Sequence, residues 1–470
     1  MSDELAYLGI ADAAKLIRTK KLSPVEYTQT LLARIEKLDP QLNAFLLQTP
    51  DIALADAKRA EQEIAKGNWR GPMHGVPYGL KDIIDYEGLP TTGHSKILKD
   101  NVAKGDAPVA ARLRAAGGVF MGKMSTHEFA IGGPSFDLPW PPARNPWNRN
   151  HHPGGSSSGS GSALAAGLLP AALGSDTGGS VRNPASMCGI VGLKPTYGRT
   201  SRRGVLPLSF SLDHVGPMTR TVEDNALLLN VIAGHDPLDP GSADVATEDY
   251  AAALGQGAKG LKLGVIRHFY TKDETADPEM VKSVEDAIAT LRELGAEIRE
   301  IEIDPLPVYA ACNRTILSAE AYAIHEAWLQ QRPQDYGARA RERLLAGAFI
   351  TAADYINATR MRRKLVDRFH AALKDLDAAV TISSMEPACR IDDDAMVDRT
   401  YPRQARAPFN LTGSPAISVP TGFSSAGLPL SMQIVGKPFR EATVYRIAQA
   451  YEQATEWTRK RPALTAAKAA

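Results

Sequence analysis

Only three cysteines occur in the 470 residues, Cys188, Cys312 and Cys389, and they are widely spaced. No disulfide framework can hold such a chain, and a reducing compartment is expected. Excess charge is also lacking, since 54 basic side chains face 53 acidic ones for a net charge of +1. Without a dense Lys/Arg stripe there is no footprint for nucleic acid. No polyanion has to be held, so specificity is expected to lie in pocket shape. No run of about 18 uncharged apolar residues is present to span a membrane. Met1-Ser2-Asp3-Glu4 lacks the basic-then-apolar layout of a secretory signal. These absences leave a cytoplasmic enzyme, long enough for two or three domains or for one large α/β unit.

Strands interleaved with helices predict an α/β layered fold around a central sheet. Ser23-Pro24-Val25-Glu26 is a capping box with proline at the first helical position, and Val25, Leu31, Leu32, Ile35 and Leu38 follow at helical spacing. Asp39-Pro40 is expected to stop that helix, and a second is expected over about Asp51 to Lys66. Strands are expected at 119–121, 263–266, 297–303, 379–382, 416–419 and 431–435, and a terminal helix over about Arg440 to Thr455.

One segment departs from this alternation. Residues 151–180 hold eight glycines and seven serines, and Asp176 is their only charged side chain. A flexible linker is one reading. Residues 163–173, an apolar stretch, favour two tight Gly/Ser loops joined by a buried helix and a strand. Such loops let backbone N–H groups close on an anion or oxyanion.

Several motifs compete for the chemistry. Gly117 to Lys123 fits a phosphate loop, but Met124 stands where that loop needs Ser or Thr. Gly155-Ser156-Ser157-Ser158-Gly159 fits a nucleophile elbow centred on Ser157, although the residues before it make a poor strand. No histidine or cysteine pair has metal-ligand spacing. There remains a serine activated without histidine. In Asp176-Thr177-Gly178-Gly179-Ser180, the N–H groups of Thr177, Gly178, Gly179 and Ser180 can converge as an oxyanion hole. Lys81, inside the apolar run 76–84, is a base whose desolvation would lower its pKa. Its alternative is a strand-end lysine snorkelling to water.

Three blocks together resemble the amidase signature family: residues 154–160, residues 172–185 and residues 192–199. Further matches fall in family order, at Gly75-Val76-Pro77 with Lys81-Asp82, at Asn145-Pro146-Trp147, at Leu411 to Ala416 and at Gln433 to Gly436. The resemblance runs from about residue 5 to 460. It implies one α/β/α domain over 1–470, around a mixed sheet, with N-terminal helices in 1–66 packed on it. It also implies a Ser-cisSer-Lys triad with Ser180 as nucleophile, Ser156 as the bridging residue on a cis peptide, and Lys81 as base. Spacings of 75 and 24 residues mean that the three meet only through the fold. Ser157, Asp176 and Arg182 are supporting residues. Asp176 and Arg182 are expected to form an ion pair bracing the loop, with a substrate carboxylate as the alternative partner of Arg182.

No cofactor is implied. The expected substrate is a small amide, carbamate or ester, and a homodimer is left open. The stretch 132–142 and the C-terminal helix resemble free-standing hydrolases more than the glutaminase-type component of an amidotransferase. Phe136 and Trp140, with Trp147, are candidates for a substrate pocket or for plain loop packing.

Overall fold

Short apolar runs bounded by glycine and proline become eleven strands in the computed structural model, which describes residues 3–464. Met1 and Ser2, cited above for the N-terminus, lie outside the described residues. The strands are β1 Phe45–Gln48, β2 Pro77–Lys81, β3 Val119–Met124, β4 Ala171–Asp176, β5 Val191–Lys194, β6 His214–Thr219, β7 Lys262–Val265, β8 Glu297–Glu300, β9 Ala378–Ile382, β10 Ala416–Phe423 and β11 Pro429–Gly436. They form one mixed sheet in the order β1-β3-β2-β4-β6-β5-β10-β11-β9-β7-β8. Every residue of β2, β3, β4, β5 and β6 is buried. Helices cover both faces there, which explains near-continuous apolar runs in place of alternation.

Register positions the site. β2 runs parallel to β4, with Leu80 opposite Leu173. Their C-terminal ends, Lys81 and Ser175-Asp176, therefore emerge side by side. Crevices outside the carboxyl ends of such strands are the usual ligand sites of open α/β sheets. β6 returns antiparallel to β4 and sets His214 opposite Asp176.

The N-terminal helices are Asp3–Ala6, Ile10–Arg18, Pro24–Leu42 and Pro50–Ala65, the first two not singled out from the sequence. The Ser23 hydroxyl accepts from the N–H groups of Val25 (3.0 Å) and Glu26 (3.2 Å). The helix capped by Ser23 does not stop at Asp39-Pro40. It runs two residues further and ends at left-handed Asn43 (φ 51°), because the Asp39 carboxylate accepts from Ala44 N–H (2.8 Å) beyond the helix end. Leu31, Ile35, Ala53 and Ala57 share one core with Leu80 and Leu173.

The Gly/Ser segment is structured throughout. Helix Ser158–Ala165 and β4 are wholly buried, so the linker reading gives way to buried loops joined by a helix and a strand. The phosphate-loop match lies in β3, where Lys123 Nζ pairs with Asp82 at 3.0 Å in full burial. Leu173 is fully buried between two strands. Leu173→Ala should cost about 2–5 kcal/mol, read as a lower urea midpoint. Leu238→Ala, at a 70% exposed position, should move it by less than about 0.5 kcal/mol.

Candidate active site

Lys81 ends β2 with no exposed surface, so the snorkelling alternative is excluded. Its Nζ donates to Ser156 Oγ at 2.6 Å and to Ser175 Oγ at 2.8 Å. Burial pulls its pKa down to about 7, against the opposing pull of Asp213 and Asp176. Desolvation wins because both carboxylates act without contact, and the direct partners are neutral hydroxyls.

Ser156 follows a cis peptide, Gly155–Ser156. Its carbonyl accepts from His127 N–H at 3.0 Å. The His127 ring packs so closely on Gly155 that a Cβ there would stand 2.0 Å from ring carbon Cε1, which is why position 155 is glycine. Ser157 N–H donates to the Ser180 carbonyl at 3.2 Å, tying the two loops together. The Ser157 hydroxyl is turned away and bridges Ser175, donating to its carbonyl (3.3 Å) and accepting from its N–H (3.2 Å). Residues 152–156 form no strand. The elbow reading of Ser157 therefore fails, since an elbow needs a strand before it and an exposed hydroxyl.

Asp176 organises the loop that carries Ser180. Its carboxylate accepts from the N–H groups of Gly179 (2.8 Å), Val181 (3.2 Å) and Arg182 (3.4 Å), and from Asn410 Nδ2 (2.8 Å). It also pairs with Arg182 at 2.9 Å, with both side chains fully buried. Burial alone would raise this carboxyl, but the charge and hydrogen bonds of Arg182, with help from Lys194 and Asn410, hold it well below the usual carboxylate range. All five guanidinium protons of Arg182 are used, on both Asp176 oxygens, the Arg406 carbonyl, Gln433 Oε1 and Asn410 Oδ1. None is left for a substrate carboxylate, so the brace reading stands and its alternative falls.

The expected donor set contracts in one place. Gly179 N–H is committed to Asp176, which leaves the N–H groups of Thr177, Gly178 and Ser180. Ser180 lines a cavity of about 400 Å³ with Gly178, Gly179, Asn313, Tyr401 and Arg406. The Tyr401 phenol lies beside the Ser180 hydroxyl and is pushed up by burial. Among the described residues no hydrogen bond joins the Ser156 and Ser180 hydroxyls. A larger cavity, about 560 Å³, is lined by Ser175, Asp213 and His214 and shares Ala130 and Leu208 with the first.

The expected aromatic lining is elsewhere. Phe136 is 52% exposed and packs against Arg144. Trp140 holds His94, by its carbonyl at 3.0 Å and by its ring edge. Trp147 donates to the Cys188 carbonyl at 2.7 Å. None of the three lines the cavity at Ser180, so loop packing describes them. Missed from the sequence were Ser175, Tyr401, Arg406 and Asn410. Ser175 was recoverable as the last residue before Asp176 on a strand parallel to β2, whereas the other three lie more than 220 residues beyond Ser180 and carry no local motif.

A family model described as Amidase matches residues 26–445. The chain belongs to the amidase signature family. It is 41% identical over 480 residues to the A subunit of glutamyl-tRNA(Gln) amidotransferase from Geobacter metallireducens, covering 97% of this chain and 98% of that one. Among solved structures, it superposes with a TM-score of 0.90 on a chain from a vestigial protein complex bearing on the origins of an s-triazine catabolic enzyme, at 32% identity over 95% and 98% of the two chains. It superposes with a TM-score of 0.85 on the peptide amidase of Stenotrophomonas maltophilia, at 33% identity over 97% and 98%. The family match places the chain in the coarse class of amidase signature enzymes acting on amide C–N bonds. The first relative weighs toward the amidotransferase alternative rather than the free-standing hydrolase expected from residues 132–142.

The Asp176–Arg182 pair makes a stability prediction. Asp176→Asn leaves a buried guanidinium uncompensated and should cost about 3–5 kcal/mol at pH 7. The native carboxyl titrates below its unfolded value, so its contribution is full above about pH 4 and is lost as the pH falls further. The gap between native and variant in chemical denaturation should therefore narrow in acid.

Proposed function

We propose that the chain hydrolyses a carboxylic amide through an acyl-enzyme on Ser180, with Ser156 as proton bridge and Lys81 as base. The contact that carries this reading is the 2.6 Å Lys81 Nζ–Ser156 Oγ bond in full burial. A neutral lysine has one lone pair and two N–H groups. One N–H is satisfied by Ser175 Oγ, and the lone pair can take the Ser156 proton. Ser156 in turn takes the proton of Ser180 as Ser180 Oγ attacks the carbonyl carbon. That second leg closes as the Ser180 hydroxyl rotates toward Ser156 on substrate binding, as catalytic hydrogen bonds commonly tighten only in the complex. The oxyanion falls to the N–H groups of Thr177, Gly178 and Ser180. When the C–N bond breaks, the Lys81 proton returns through Ser156 to the leaving nitrogen, which avoids an amide anion. Water, deprotonated by the same relay, then attacks the ester and restores Ser180.

Carbamates and esters present the same carbonyl to the same groups. The three cysteines are free and buried, which supports a reducing compartment, the cytoplasm. Nothing in the relay calls for a metal, so EDTA should leave the rate unchanged.

The 41% identity to the amidotransferase relative over 97% of the chain favours a second reading, in which the same site serves a multi-component enzyme. Co-purification with partner proteins and glutamine-dependent ammonia release would support it. Turnover of simple amides by the isolated chain would favour the free-standing enzyme.

Ser180→Ala should abolish hydrolysis and labelling by a fluorophosphonate. Labelling that survived would move the nucleophile elsewhere. Because burial brings Lys81 to about 7 from 10.5, the base is neutral above that pH. The kcat/KM should then rise through about pH 7 and fall roughly tenfold per unit below it. Lys81→Ala should remove this inflection and lose most activity, with partial recovery at high pH. A profile flat from pH 5 to 9 in the native enzyme would exclude Lys81 as base.

A further inference from the structure

The charge of the cavity at Ser180 is one-sided. Arg314, Arg343 and Arg406 line it, along with Asn183, Asn313 and Gln404, and no carboxylate does among the described residues. The three guanidinium groups are not equally neutralised. Arg343 Nη2 pairs with Asp398 at 3.0 Å. Arg314 projects from an exposed position of helix Leu306–Gln331 and has no ion pair among the described residues. Arg406 is 2% exposed. Its Nη1 donates to the Ser383 carbonyl at 2.9 Å and to Ser384 Oγ at 2.5 Å, while its Nε has no partner. That Nε lies over Gly179, where a Cβ would stand 2.5 Å away; glycine at φ 129° makes room for the guanidinium beside the nucleophile.

A buried guanidinium without a counterion is costly, and an unsatisfied N–H on it adds to the cost. Burial, reinforced by the charge of Arg182, pulls Arg406 down to about 9. Arg182 has its own carboxylate in Asp176 and nothing to spare. The Arg406 Nε is closed off by Gly179, but Nη2 makes no hydrogen bond among the described residues, and an anion entering the cavity supplies the partner and the countercharge that Arg406 lacks. Guanidinium groups fit carboxylates best, through paired charge-assisted hydrogen bonds.

We infer that the substrate is an amide that also bears a carboxylate, held by Arg406 and Arg314 while its amide carbonyl faces Ser180. This rests on the hydrolase reading of the Ser180 site and narrows it. Free glutamine fits such a cavity poorly, since its ammonium would meet arginines and no carboxylate. Glutaramate, which is glutamine without the α-amino group, fits it well.

Three amides of nearly equal length separate these cases: glutaramate, glutamine and uncharged pentanamide. Glutaramate should exceed pentanamide by about 10- to 100-fold in kcat/KM, the range expected of hydrogen bonds to charged groups. Glutamine should fall below glutaramate. The glutaramate-to-pentanamide ratio should drop about tenfold or more in Arg406→Met and partly recover in Arg406→Lys. Because Arg406 also holds Ser383 and Ser384, the exposed Arg314→Met variant is made alongside it, with a smaller drop in the same ratio. Equal turnover of glutaramate and pentanamide, or a ratio unmoved in both methionine variants, would overturn the assignment. So would preference for glutamine.

Binding gives a readout independent of chemistry. Glutarate should bind Ser180→Ala protein in calorimetry, and Arg406→Met or Arg314→Met in that background should weaken it. If glutarate binds but no amide is cleaved, the hydrolase reading fails and the anion site stands. If pentanamide is cleaved and glutarate does not bind, the reverse holds.

Discussion

The site depends on one buried ion pair, Asp176 with Arg182. A carboxylate placed on the last residue of β4 would be expelled by desolvation unless something compensated it. Arg182 does so six residues later, and the return of the chain to make that contact shapes the loop that carries Ser180. The same carboxylate takes the N–H groups of Gly179, Val181 and Arg182, so the loop is folded around a charge as much as around a core. Through Asn410 and Gln433 the pair also reaches helix Ala407–Leu411 and β11. The Ser180 loop is thereby fixed to segments more than 200 residues away. Arg182 is consumed in the process, and the neighbouring guanidinium of Arg406 is left at the cavity without a carboxylate of its own.

The second constraint is the register of β2 against β4. A one-residue slip would turn Lys81 to the opposite face of the sheet. In the observed register its ammonium enters a space walled by Ser156 and Ser175 and closed to water. Burial disfavours its charge, and the nearest carboxylates oppose this without touching it. Asp213 is itself raised to about 6 by burial, against hydrogen bonds from Thr177 and from the Leu208 and Ser209 backbones. Its own hold on charge is weakened, which limits how far it can restore the lysine. A direct Lys–Asp contact, Lys123–Asp82 in the adjacent strand, shows the other arrangement, a buried structural ion pair. Two buried lysines on neighbouring strands thus differ in their partners: Lys81 meets hydroxyls alone, whereas Lys123 meets the Asp82 carboxylate as well as the Thr91 hydroxyl.

What could be read from the sequence follows from how local each feature is. Ser156, Ser180 and Lys81 sit in dense motifs, and the buried helix and strand inside the Gly/Ser segment followed from its apolar stretch at 163–173. The end of helix Pro24–Leu42 was misplaced because Pro40 lies within its last turn, and the Asp39 carboxylate, accepting from Ala44 N–H beyond it, decides the boundary. The commitment of Gly179 N–H to Asp176 depends on loop geometry that composition does not encode. The aromatic residues near the signature looked like a pocket by proximity in the chain. In space they pack on Arg144, His94 and Cys188, whereas the cavity wall comes from helix Leu306–Gln331 and from residues 401–407.

Overall neutrality therefore says little about the site. A net charge of +1 over 470 residues argues against an extended electrostatic surface, because such surfaces need many like charges in the open. It places no limit on a cavity, where one or two uncompensated charges act in a low-dielectric setting and are worth far more than on the surface. Here the acidic side chains that balance the total are spent elsewhere: Asp176 on Arg182, Asp82 on Lys123 and Asp398 on Arg343. Arg406 and Arg314 are what this distribution leaves over at Ser180. The proposed selectivity rests on local charge as well as on shape, since shape alone would accept pentanamide as readily as glutaramate.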